Sequence, residues 1–177
     1  MGRRKKKVWT VREEREGDFP AIESLIETMF QNTLNFGGAQ KDILSNMRSE
    51  GRFIPELSLL VEADGAIVGY LMLSELPESK TKNGKNSLLL SPVCTQEAYQ
   101  HQGIATSLIQ AAIEKAKQLQ YQAIFLIGHP VFYSRFDFVP GKHLGIRESN
   151  GAPQDFVLVL ELAPGGLEEI SEVNLLI

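Results

Sequence analysis

Apolar and polar positions change period several times along this chain, and each change marks an element. Residues 8–12 alternate as a short strand does. After Gly17 and Asp18, the residues Ile22, Leu25, Ile26, Met29 and Phe30 recur at helical spacing, with Asp18 placed to cap the first turn. Asn35, Phe36, Gly37 and Gly38 break that helix. Residues 41–48 predict a shorter one, with Ile43, Leu44 and Met47 on its apolar side and Gly51 ending it. Two apolar runs, 57–63 and 66–73, meet through Asp64-Gly65, a strong signal for a two-residue hairpin. Residues 78–85 follow Pro77, hold Gly84 and several lysines, and predict an exposed loop.

The next run, 87–95, is almost continuously apolar, which predicts a central strand covered on both faces. From about Gly103 to Gln120 a long helix follows, with Ile104, Leu108, Ile109, Ala112, Ile113, Ala116 and Leu119 as its buried stripe. Residues 123–127 form another strand, closed by Gly128. Strand, helix, strand implies parallel pairing through a right-handed crossover. Pro130 suits the first turn of a short helix bearing Phe132, Tyr133 and Phe136. Residues 156–162 make the last strand, and Pro164, Gly165 and Gly166 lead into a tail. No repeat or linker divides the chain. It reads as a basic arm, 1–7, followed by one α/β domain, 8–177.

Composition adds limits. At 177 residues, 43% hydrophobic and 23% charged, the chain can bury a real core. No apolar stretch reaches the roughly 18–20 residues a bilayer requires, and no apolar signal segment follows the basic terminus. Cys94 is the only cysteine and suits a reducing compartment, so a cytoplasmic protein with no membrane partner is expected. Arg3, Arg4, Lys5, Lys6 and Lys7 carry 5 of the 18 basic residues, which leaves 13 basic against 22 acidic in the remainder. The arm reads as a solvated terminus or as a tether for nucleic acid or membrane. The acidic body favours the first reading and a cationic substrate. His101, His129 and His143 lack a metal-ligand spacing with acids or cysteine, so no metal is expected.

The chemistry concentrates where the run 87–95 feeds Gln100-His101-Gln102-Gly103-Ile104-Ala105 and then the long helix. A strand, turn and helix start leave bare backbone N–H groups, a natural seat for phosphate oxygens. No Lys-Ser or Lys-Thr pair follows, so the turn is not a P-loop. A dinucleotide fingerprint would need three glycines, where only Gly103 stands. Backbone N–H groups of Gln102, Gly103, Ile104, Ala105 and Thr106 could bond a pyrophosphate, with Gly103 admitting close approach and Ala105 kept small.

Gln100, Gly103 and Ala105 match every defined position of the pattern Gln/Arg-x-x-Gly-x-Gly/Ala, the pyrophosphate loop of the GNAT acetyltransferase superfamily, which this chain resembles. Residues 57–73, 93–108 and 128–140 look like those of a bacterial subgroup of N-acetyltransferases, which also ends in a strand followed by Pro-Gly. The likeness spans residues 8 to about 166. It implies a mixed, mostly antiparallel sheet splayed at a central parallel pair, with helices on both faces. It also implies acetyl-CoA as co-substrate and transfer of its acetyl group to a primary amine by direct attack.

By the same resemblance, Gln100 and His101 belong to the cofactor loop, and backbone groups of Val93 and Thr95 pair with the pantetheine arm as an added strand would. Backbone N–H groups near residues 93–95 would stabilise the oxyanion. Cys94 between them reads as a small buried hydrophobe rather than a nucleophile. Tyr133 is the expected proton donor to the departing thiolate. Phe132 lies in the same segment, and Arg135 approaches a phosphate or lies in solvent. Many family members carry an asparagine ahead of the tyrosine. Here Gly128, His129 and Pro130 stand instead, and His129 is either a proton relay or a plain loop residue. The base is Glu75 or water. The acceptor, a small-molecule or peptide amine, would meet residues 32–52, the hairpin loop and 142–153. Two other readings stay open: a non-catalytic acyl-CoA-binding regulatory module, and a nucleic-acid-associated protein. Homodimerisation is left open too.

Overall fold

The computed structural model describes residues 8–31, 40–76, 79 and 86–175. In chain order it runs β1 (Trp9–Glu13), α1 (Phe19–Phe30), α2 (Gln40–Ser49), β2 (Phe53–Ala63), β3 (Ala66–Leu76) and β4 (Ser87–Thr95). Then come α3 (Ile104–Gln118), β5 (Ala123–Ile127), α4 (Pro130–Tyr133), β6 (Val139–Pro140), β7 (Arg147–Glu148), β8 (Val157–Glu161) and β9 (Glu172–Val173). The first four strands pair antiparallel in sequence order, β4 pairs parallel with β5, and β8 then β6 complete a seven-stranded sheet. β7 and β9 form a separate parallel pair.

The pleat sorts the apolar residues onto two faces. Leu88, Leu90, Ile124 and Leu126 join the cluster under α3, with Leu108, Ile109 and Ala112. Leu89, Cys94, Ala123 and Phe125 join the opposite cluster, with Ile22 and Ile26 of α1 and Leu44 and Met47 of α2. Each fully buried Leu or Ile contributes about 1.5–3 kcal/mol, so these two clusters hold the layers together. Asp64 (φ 52°) and Gly65 (φ 77°) make the expected hairpin turn, both left-handed. Among the described residues no helix is long and apolar enough to cross a membrane.

Several boundaries depart from expectation. The first strand starts at Trp9, and Val8 is exposed. Asp18 occupies the N-cap position of α1, but its carboxylate does not cap the helix. It accepts instead from the Arg12 guanidinium at 2.7 and 3.1 Å and from the Arg15 backbone N–H at 2.7 Å, because a charged fork outcompetes a neutral amide. The hairpin strands extend beyond the apolar runs at the ends away from the turn, back to Phe53 and on to Leu76, since ladder hydrogen bonds are indifferent to side-chain polarity. The last strand begins at Val157, after a 3₁₀ turn at Gln154–Phe156. Ser79 falls in the run read as exposed, yet it is buried: its hydroxyl donates to Leu76 O (2.7 Å) and accepts from Ser87 N–H (2.8 Å). The break at 35–38, the side chain of Ile43 and residues 78 and 80–85 lie outside the described residues. The two-residue strands β6, β7 and β9 are too short to show a period.

Candidate functional site

Two strands that should run side by side part company at the centre of the sheet. β4 and β5 pair only at Leu88↔Ile124 and Leu89↔Phe125. Beyond Leu89, β4 keeps its β3 neighbour alone, and its register there slips: Leu73 faces Leu90 while Leu71 faces Val93. Ser91 and Pro92 thus oppose the single residue Met72, a β-bulge that bends β4 away. Proline brings no N–H to the ladder, which favours the bulge here. The result is a slot between the C-terminal halves of β4 and β5.

The turn after β4 closes one end of that slot. Gln96 N–H donates to Val68 O (2.7 Å), and the Tyr99 hydroxyl donates to Asp64 Oδ2 (3.0 Å), so the turn is tied to the hairpin. His101 (φ 59°) and Gly103 (φ 85°) are both left-handed and re-aim the chain into α3. Among the described residues, no backbone N–H from His101 to Thr106 has a hydrogen-bond partner, and the first helical bond is Ser107 N–H to Gly103 O at 3.0 Å. The first turn of α3 carries no acid and no side-chain cap. Among the described residues, and its chain neighbours apart, no atom lies within 4 Å of where a Gly103 Cβ would stand. Consecutive free donors, a helix N-terminus and open space above a glycine fit a pyrophosphate.

Individual residues contribute differently from their sequence reading. Gln100 and Gln102 are exposed, and their amides donate to Thr95 O (3.2 Å) and Ala98 O (3.3 Å), so they brace the loop from outside. The Ile104 side chain is buried, and a Cβ on Gly69 would come within 2.7 Å of its Cγ2, which locks the start of α3 onto β3. Ile104 offers only its backbone, while Ala105 and Thr106 are half-buried. Val93 packs toward α3, and Cys94 is buried on the α1 side with its thiol pushed up to about 12 by burial. Thr95 Oγ1 is buried without a partner, a donor that the sequence did not single out.

Tyr133 is brought to the open end of β5. Gly128 N–H donates to Phe156 O (2.9 Å), and a Gly128 Cβ would lie 2.5 Å from Tyr133 Cε2, so only glycine lets the ring settle there. Phe132 (4.9 Å) and Phe138 (5.8 Å) meet the ring edge-on. The phenol has no hydrogen-bond partner among the described residues, and burial pushes it up to about 12. His129 is the N-cap of α4, its Nδ1 accepting from Val131 N–H at 3.3 Å. Phe132 is half-buried, and Arg135 is exposed with its guanidinium 4.8 Å from the Phe132 ring.

Glu75 is not brought to the slot's open end. It pairs with Leu88 at the start of β4, and its carboxylate accepts from the Tyr121 hydroxyl (2.6 Å) and from Asn86 Nδ2 (2.9 Å). Two buried carboxylates escaped the sequence reading. Glu148 accepts from the backbone N–H groups of Asn150 (2.9 Å), Ala152 (3.0 Å) and Leu175 (3.1 Å), which ties residues 148–152 to the tail. Glu14 accepts from Arg48 (2.6 Å) and Ser58 (2.5 Å), and Arg48 sits between the Phe19 and Phe53 rings.

Known proteins share this fold. A model of the acetyltransferase (GNAT) family matches residues 19–136. The Escherichia coli protein YhbS, named an uncharacterized N-acetyltransferase, is 25% identical over 130 residues, 73% of each chain. The structure of that protein in complex with CoA superposes with a TM-score of 0.79 at 22% identity, covering 98% of this chain and 94% of the other. A GNAT family acetyltransferase from Brucella melitensis in complex with acetyl-CoA gives 0.71 at 22% identity, covering 89% and 90%.

Proposed function

This chain belongs to the GNAT acetyltransferase family, and from that premise we propose that it transfers an acetyl group from acetyl-CoA to a primary amine by direct attack, with Tyr133 as general acid. The observation that carries the reading is the run of unpartnered N–H groups, His101 to Thr106, at the mouth of the β4/β5 slot. Those groups would hold the pyrophosphate, with Gly103 allowing close approach and Ala105 leaving room. Backbone groups of Val93 and Thr95, past the last β4/β5 pair, would receive the pantetheine. The thioester supplies the acyl group and a sulfur leaving group.

Tyr133 holds a proton at its phenolic oxygen throughout the neutral range, because burial opposes the phenolate. That burial also makes it a weaker acid. The phenolic proton would pass to the departing sulfur as the tetrahedral intermediate collapses. Glu75 lies at the wrong end of β4, so water takes the amine proton. His129, with Nδ1 committed to its own helix, acts as a cap. The acceptor is a small-molecule or peptide amine. A cytoplasmic location and one catalytic domain over residues 8–177 belong to the same proposal.

Calorimetry with acetyl-CoA, followed by a thiol-release screen across amines, tests the reading. Saturable binding with turnover supports it. Binding without turnover for any amine favours an acyl-CoA-binding regulatory module, and no binding at all refutes both.

A further inference from the structure

The seat at the α3 N-terminus is built without cations. Residues 96–106 contain Glu97 and neither Lys nor Arg. The hairpin tied to the loop adds Glu62 and Asp64. Coenzyme A brings two separate anionic groups to this surface, a pyrophosphate and a phosphate on the ribose 3′ carbon. The free N–H groups supply partial charge at one place and account for the first group. The second needs a cation of its own. Most described cations are already engaged. Arg12 pairs with Asp18 and Glu62, Arg48 with Glu14, Arg52 with Glu50 and Arg147 with Glu172. Lys115, Lys117 and Lys142 pair with Glu13, Glu114 and Asp155. Among the described residues, Arg15 and Arg135 are the arginines with no carboxylate at ion-pair distance. Arg15 precedes α1, which packs on the opposite face of the sheet from α3. That leaves Arg135.

The fold carries Arg135 to the other lip of the slot. β4 leads through its turn into α3, and β5 leads through Gly128 into α4, so the two helices flank the slot's mouth. Phe132 of α4 packs against the same apolar cluster that holds Ile104, the first residue of α3, which puts both on one face of the sheet. Ile104 stands over Gly69 of β3. β3 and β5 are two strand spacings apart, about 10 Å, and the splay widens that gap. The Arg135 guanidinium lies over the Phe132 ring, 4.8 Å from its centroid. Tyr133 (4.9 Å) and Phe136 (5.8 Å) hold that ring edge-on. A ring face steadies the guanidinium without cancelling its charge. The side chain is exposed, and among the described residues its N–H groups donate to no acceptor. A planar fork of free donors matches two oxygens of one phosphate.

We infer that Arg135, steadied on the Phe132 ring, binds the ribose 3′-phosphate of coenzyme A while the α3 N-terminus takes the pyrophosphate, and that it makes the site select CoA over dephospho-CoA. The inference rests on the acetyl-CoA reading. The ribose separates the two phosphate groups of the cofactor as the mouth of the slot separates the two helices. Phe132 acts as a positioning residue, through the guanidinium it carries.

The test is calorimetry of the full chain, of Arg135→Gln and of Arg135→Lys, each with CoA and with dephospho-CoA at low and high salt. The unaltered chain should bind CoA about tenfold more tightly than dephospho-CoA at low salt. Arg135→Gln should bind both equally, with its dephospho-CoA affinity and melting temperature unchanged. Arg135→Lys should keep part of the preference, since it retains the charge and loses the fork. High salt should shrink the preference as screening weakens an exposed contact. A preference for CoA that survives in Arg135→Gln overturns the inference. So does an unaltered chain that binds the two forms equally. An equal loss for both forms in Arg135→Gln also overturns it, because the side chain then serves only the packing of α4. If the unaltered chain binds neither form, the acetyl-CoA reading itself fails and the inference falls with it, a result distinct from the others.

Discussion

A buried phenol over a glycine is the smallest unit on which the chemistry turns. Tyr133→Phe removes the proton donor and leaves the ring packing, so kcat should fall by about 100-fold while acetyl-CoA affinity holds. Steady-state kinetics beside calorimetry separates the two. The pH dependence has a definite sign. A tyrosine in the unfolded chain loses its proton near 10, whereas burial holds folded Tyr133 up to about 12. Between those values the unfolded state sheds a proton that the folded state keeps, so stability falls as pH rises through that window. Urea melts across it should show a shallower loss for Tyr133→Phe than for the unaltered chain. In the same way burial holds Cys94 protonated up to about 12, so a thiol reagent at pH 8 should label it only on unfolding.

At the scale of elements, two glycines set where α3 and α4 can sit. Gly103→Ala meets no steric wall but must hold φ near 85°, which costs about 1–2 kcal/mol and puts a methyl where phosphate oxygens approach. Both melting temperature and CoA affinity should drop. Gly128→Ala drives a methyl to 2.5 Å from Tyr133 and 2.9 Å from Leu126, so the ring must shift. About 1–3 kcal/mol of stability should be lost, with turnover reduced and CoA affinity near normal. Melting curves and initial rates read these effects. The glycine of the loop was legible because its neighbours match a pattern with a backbone reason. Gly128 was noticed as the end of a strand and as part of the family-like segment, but not for its contact with Tyr133, since the ring that demands it arrives five residues later and folds back.

Across the whole molecule, long-range carboxylates connect layers that periodicity describes singly. Glu148 holds three backbone N–H groups, one of them on Leu175 in the tail. Glu148→Gln substitutes an amide whose NH₂ faces donors, and should cost about 1–3 kcal/mol. Hydrogen exchange should then report lost protection at residues 172–175. Glu14 binds Arg48 across 34 residues and Ser58 across 44. No local window holds both partners, so such pairs stay invisible until the fold brings them together.

What the chain carries in its own order is everything that follows from neighbours: strand and helix periods, the Asp64-Gly65 turn, the near-continuous apolar run that buries β4 on both faces, and the glycine-bearing turn ahead of α3. These depend on backbone geometry over a few residues, and hydrophobic spacing reports them directly. What waited for the tertiary structure was every choice between partners. Asp18 turned from its helix to Arg12, Glu75 was placed at the closed end of β4, and β4 parted from β5 after two residue pairs. Each is a competition between alternative partners, settled by which of them the packed layers leave within hydrogen-bond reach.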